Sequence, residues 1–100
     1  MKKIILCIVL NLISLNALSI VDCPPSKIKY VQVETDKVLV YPEGQNWHLL
    51  GFYNQDGVKE MYSAVLAAQM AKKNVVIRYP QGYDCNAYNL SVKAYMVRVY

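Results

Sequence analysis

His48 is the single histidine of the chain, so acid–base catalysis near neutral pH would have to run through it. It stands between Trp47 and Leu49, with no second group spaced to orient it as a member of a catalytic triad. That setting reads as a structural or surface histidine. The carboxylates offer two close pairs, Glu34 with Asp36 and Asp56 with Glu60. The first falls in a polar turn and the second at the start of a helix, where solvated acids are expected anyway. One histidine and scattered acids make no metal-ligand set. Gly44, Gly51, Gly57 and Gly82 are isolated and make no phosphate-cradling loop. Asn89-Leu90-Ser91 has the form of a glycosylation acceptor, without meaning in an ordinary bacterial export route. No catalytic residue, metal site or cofactor is expected, and the chain reads as a non-enzyme.

Tyrosine is the abundant chemical resource, with nine residues beside one tryptophan and one phenylalanine. A tyrosine ring is a rigid apolar body with a polar tip, which suits a binding surface; it is also a good strand residue. Tyr79, Tyr83 and Tyr88 surround a cysteine, and Trp47 opens a strand, so these four are the candidate ligand-binding residues.

The start of the chain decides the compartment. Met1-Lys2-Lys3 is followed by an apolar run over residues 4–15, the n- and h-regions of an export signal. The run is too short to span a bilayer comfortably, and Asn11, Ser14 and Asn16 weaken it as an anchor. Ala17 and Ser19 supply small residues for cleavage after Ser19. Residues 1–19 therefore read as a signal peptide and residues 20–100 as one small domain, secreted or periplasmic, without stable membrane insertion after cleavage. Asp22 stands where a small residue would precede a lipidated Cys23. Cleavage removes Lys2 and Lys3 from a formal net charge of +4, leaving too weak and scattered a basic balance for nucleic acid.

Cleavage also removes Cys7 and leaves Cys23 and Cys85. Two cysteines in an exported chain predict one disulfide, a useful staple for a domain small enough to be marginal without help.

The elements that must position these groups follow from periodicity and turn chemistry. Cys23-Pro24-Pro25-Ser26 is an extended opening segment, because proline fixes φ and lacks a donor. Strands are expected over residues 27–33, 37–41 and 47–53, the first two as a hairpin. A helix follows, capped at Asp56 or Gly57 and running to about Lys73, with Asn74 in the left-handed stop position. Val58, Met61, Tyr62, Val65 and Ala68 form its apolar stripe, flanked by the small residues Ala64, Ala67 and Ala71. Strands over residues 75–79 and 92–100 enclose a loop over residues 80–86 that carries Cys85. The order β-β-β-α-β-β fits a small antiparallel barrel or curled sheet, mainly β with one α-helix.

The block over residues 59–79, Lys-Glu-Met-Tyr-Ser-Ala-Val-Leu-Ala-Ala-Gln-Met-Ala-Lys-Lys-Asn-Val-Val-Ile-Arg-Tyr, is a helix running straight into a Val-x-Ile-x-Tyr strand, with a cysteine and a last strand after it. That layout resembles the binding subunits of bacterial toxins built from one active and five binding subunits, of the subtilase-cytotoxin and pertussis-like branches. It also resembles short exported proteobacterial proteins of unknown role. The resemblance implies an OB-like barrel, a cell-surface glycan as ligand, and a homo-oligomer, a pentamer, with Ala64, Ala67 and Ala71 at its interface. It assigns no sugar-contacting residue; those candidates come from the aromatics. The alternatives are an accessory protein without a ligand site, and an enzyme inhibitor contacting its target through the loop over residues 80–86.

Overall fold

The computed structural model describes residues 20–100; the expected signal peptide, Cys7 included, lies outside the described residues. Six strands and one helix follow in order: β1 (Ile20–Asp22), β2 (Ser26–Val33), β3 (Lys37–Pro42), β4 (His48–Phe52), α1 (Val58–Ala71), β5 (Asn74–Pro80) and β6 (Met96–Val99). The fold is mainly β, an antiparallel six-stranded sheet that curls around one helix without closing into a barrel.

The double proline explains how the sheet begins. β1 and β2 lie end to end along one edge of β5, Val21 opposite Tyr79 and Ser26 opposite Val75. Pro24 and Pro25 have no N–H to give a ladder, so pairing lapses between them. The Cys23 amide still donates to the Ile77 carbonyl at 3.0 Å. Asp22 and Arg78 face each other in this register, and their side chains form a two-pronged ion pair at 2.7 and 3.2 Å. β1 is an addition to the expected strand order: three residues ahead of two prolines carry too little periodicity to be read locally.

β3 lies next to the edge strand β4 and pairs with β2 on its other side. Val38 and Val40 join Ile28, Leu50, Val75 and Ile77 in a buried core that Val65 and Ala68 of α1 close from above. The expected helix stripe is the face that packs: Val58, Val65 and Ala68 are buried, and Met61 and Tyr62 are half-buried against the core. Gly57 starts the helix with φ 83°. Gly51 lets it approach: a Cβ there would lie 2.8 Å from Cγ2 of Val58.

Two boundaries differ from expectation. The helix stops at Ala71, and Lys72, not Asn74, takes the left-handed conformation, with φ 56°. Asn74 is needed in β5, where it pairs with Lys27 and its carbonyl accepts from the Tyr100 amide. The last strand is shorter than residues 92–100, because the chain changes neighbours there. Asn89 Oδ1 accepts from the Ser91 and Val92 amides and the Ser91 hydroxyl, making a side-chain-capped turn. The Ala94 amide then donates to Leu50 of β4, and the Tyr95 amide to Arg78 of β5. These isolated bonds bring the two ends of the sheet together without a ladder, which is why it curls and stays open.

The predicted disulfide is present: Cys23 and Cys85 are bonded, their Cα atoms 5.6 Å apart and 62 positions apart in sequence. It pins the β1–β2 junction to the loop after β5. Among the described residues no helix is long and apolar enough to cross a membrane.

Candidate ligand-binding face

A β-bulge creates the most exposed aromatic cluster on the sheet. Ile28 pairs with Pro42, but Tyr30 pairs with Tyr41, so Lys29 is an extra residue in β2. In a regular strand Ile28 and Tyr30 would share a face. The bulge reverses that: Ile28 is buried, Val31 packs against the core, and Tyr30 turns outward, 52% exposed. Tyr41 lies opposite it, half-buried. Trp47, in the segment just before β4, completes the group. The Tyr30 and Trp47 rings are stacked, 6.1 Å apart at 19°. Tyr41 meets both edge-on, at 5.9 Å from Tyr30 and 5.4 Å from Trp47.

The backbone around Trp47 is fixed on both sides. Its amide donates to Asn46 Oδ1 at 2.8 Å, and its carbonyl accepts from the Asn89 amide at 3.3 Å. Asn46 Nδ2 in turn donates to the Asn86 carbonyl. The segment carrying Tyr88 is thereby held beside Trp47, and Tyr88 is 65% exposed. Lys29, the bulged residue, holds its Nζ 5.4 Å from the centre of the Tyr30 ring, a cation–π distance.

Tyr79 and Tyr83 correct the sequence reading. Both pack into the core; Tyr79 has no exposed surface, and Tyr83 keeps 9%, at a depression formed by its own loop. Tyr79 is fully buried and donates its hydroxyl to the Leu49 carbonyl at 3.0 Å. Tyr83 stacks flat on it, centroids 3.8 Å apart at 6°. A tight turn folds Tyr83 back: Gly82 adopts φ 85°, and the Tyr83 amide donates to the Pro80 carbonyl. The loop over residues 80–86 thus turns its central ring inward. Burial holds both phenols protonated, Tyr79 well above its ordinary value and Tyr83 pushed up to about 12.

That protonation fixes His48. The ring is fully buried, and burial lowers it from its usual 6.5 to about 4, so it is neutral at pH 7. The Tyr83 hydroxyl donates to Nδ1 at 2.5 Å, which leaves Nε2–H to donate to Gln45 Oε1 at 3.0 Å. Gln45 Nε2 passes the chain of bonds on to the Ser26 hydroxyl and the Pro24 carbonyl. His48 is a polar hub inside the fold, joining β4, the cysteine loop and the β1–β2 junction. Both ring nitrogens are occupied within it.

Of the candidate interface residues on α1, Ala67 and Ala71 are exposed and Ala64 is half-buried. Met70 on the same outer side is 85% exposed. Among the described residues no three His, Cys, Asp or Glu side chains converge as a metal set.

The face therefore consists of Tyr30, Tyr41 and Trp47, with Tyr88 near its rim. Tyr30 and Tyr41 were legible only as strand residues; the available signal was a tyrosine in each arm of a hairpin, and the bulge that turns them to one side has no local signature. No family model, no curated protein and no solved structure matches this chain.

Proposed function

We propose that the protein is an exported, non-enzymatic binding module that takes a glycan on the Tyr30–Tyr41–Trp47 face. The observation that carries this reading is three mutually packed rings held at the surface, with Tyr30 half in water. A rigid aromatic platform suits the C–H faces of a sugar, which offer apolar area and need no deep pocket. Export is supported by the lysine-led apolar start and by a disulfide, which persists in an oxidising compartment.

Trp47 is the sole tryptophan, so its fluorescence reports on this face directly. A glycan array on the domain of residues 20–100 identifies ligands, and fluorescence titration measures them. Tyr30→Ala and Trp47→Ala should each weaken binding at least tenfold, about 1.4 kcal/mol, with the fold intact by circular dichroism. Unchanged array binding in both variants would remove the platform from the function.

Association into a homo-oligomer, a pentamer in the toxin-like reading, is the second part of the proposal. Among the described residues β6 pairs only with β5, which leaves its outer edge without a partner strand there. Val99 and Tyr100 are exposed there, as are Ala67, Met70 and Ala71 on α1.

A further inference from the structure

Three of the lysines converge on one cleft. Lys27 and Lys29 of β2 and Lys72 at the end of α1 line a depression of about 380 Å³ between strand and helix. Ala68 and Gln69 form its helix wall, and Gln69 Nε2 donates to the Lys29 carbonyl at 3.4 Å, tying the two walls together. Glu43 is the one carboxylate in the lining. Among the described residues the ion pairs are made by Lys37 and Arg78, and none of the three cleft lysines has a carboxylate within 4 Å. Three lysines and one carboxylate around a single depression leave its lining with a net positive charge, which favours an anion there.

The backbone at Lys72 is a separate observation. It is the one non-glycine residue with positive φ among the described residues, at 56°. A helix stop of this kind favours glycine or asparagine, and a longer side chain is disfavoured there. The helix end would be better made by glycine; a lysine there brings a positive charge to the cleft. Lys29 is likewise an inserted residue, placed by the bulge between the cleft and the Tyr30 ring.

We infer that the Lys27–Lys29–Lys72 cleft is an oxyanion site, and that it binds a sulfate or phosphate ester carried by the glycan whose sugar face lies on Tyr30 and Trp47. Lys29 lines the cleft and holds its Nζ 5.4 Å from the Tyr30 ring, and through it the inferred ligand lays an apolar sugar face on the rings and a charged ester in the cleft. The carrier part of this inference rests on the platform reading; the anion site rests on the lysines alone. A phosphate ester occurs in lipid headgroups as well as on sugars, and the two sources are separated by the probes.

The test uses the domain of residues 20–100 with 6-sulfo-N-acetyllactosamine, unsulfated N-acetyllactosamine, and phosphatidylcholine vesicles with and without phosphatidylglycerol. Calorimetry gives affinities. The sulfated sugar should bind at least tenfold more tightly than its parent at low salt, with the gap narrowing as salt screens the charges. Lys27→Gln with Lys72→Gln, both away from the aromatic rings, should remove most of that gap and leave the parent sugar's affinity unchanged. Lys72→Gly is the most discriminating variant: it should raise the melting temperature, because glycine fits the helix stop, while weakening the sulfated sugar several-fold. A lysine that served only the fold would not show opposite signs.

Equal affinity for both sugars, unmoved by the lysine variants, would overturn the oxyanion site and leave the platform standing. A sulfate preference abolished by the lysine variants but indifferent to Tyr30→Ala would support the site and overturn the platform. Binding to phosphatidylglycerol vesicles through the lysines, with no binding of the sulfated sugar, would overturn the glycan as carrier. Absence of binding to every probe would overturn the inference.

Discussion

Lowering the pH from 7 to 5 should destabilise this fold by about 2 kcal/mol through His48 alone. The ring is sealed from water, with Tyr83 donating to one nitrogen and Gln45 accepting from the other. Adding a proton at Nδ1 would set a buried cation against the Tyr83 hydroxyl hydrogen. The folded state therefore resists protonation down to about pH 4, whereas the unfolded chain takes the proton near its usual 6.5. Protons then bind preferentially to the unfolded state, and stability falls as pH drops from about 6.5 to about 4 and is flat below. The full span is about 3 kcal/mol, since each unit of displacement corresponds to about 1.4 kcal/mol. About 2 kcal/mol of it is lost by pH 5. Asp22 shifts in the same direction but at lower pH: its hydrogen bond and charge pairing with Arg78 lower it from 3.8. That contribution is present above 3.8 and is lost only as pH falls below it, so the two windows separate. Urea unfolding followed by Trp47 fluorescence at pH 7, 6 and 5 measures the effect. His48→Gln keeps a polar side chain between Tyr83 and Gln45 and cannot titrate, so it should be less stable at pH 7 but lose most of the pH dependence. Equal stability of the native protein at pH 7 and pH 5, or an undiminished slope in His48→Gln, would refute the sealed neutral histidine.

Thiol labelling of native and urea-unfolded protein should find no free cysteine in the exported form, and Cys23→Ala with Cys85→Ala should cost about 4 kcal/mol in the chain-entropy account of a loop this long. Gly51→Ala should cost about 1–3 kcal/mol by pressing a methyl into Val58, and adding Val58→Ala should recover part of the lost close contact at Gly51 while opening a small void. Mass spectrometry of exported protein should place the N-terminus at Ile20 within a few residues, and intact Met1 would refute processing. Light scattering after size-exclusion chromatography should show an oligomer that Ala67→Glu dissociates; a clean monomer at micromolar concentration would remove the pentamer.

Local chemistry determined the larger part of the architecture. The β-branched runs of β2, β3 and β5, the stripe of Val58, Val65 and Ala68 on α1, and the turn residues between them are read from neighbours a few positions apart. The predicted cysteine pair needed only a count. The candidate site was different. Trp47 was recognised as an aromatic at a strand opening, but its partners Tyr30 and Tyr41 are set by a single inserted residue, Lys29, that shifts register and reverses which side chains face out. A one-residue slip leaves composition and periodicity almost unchanged while moving a side chain from core to solvent. Tyr79 and Tyr83 failed the other way. Their sequence setting, flanking a cysteine loop, says surface; their burial depends on Leu49 and His48, some 30 and 35 positions away. Lys27, Lys29 and Lys72 are dispersed in sequence and meet only because the bulge and the end of α1 face one cleft. Faces and clefts are products of long-range register, and that is the quantity a local reading of residues does not contain.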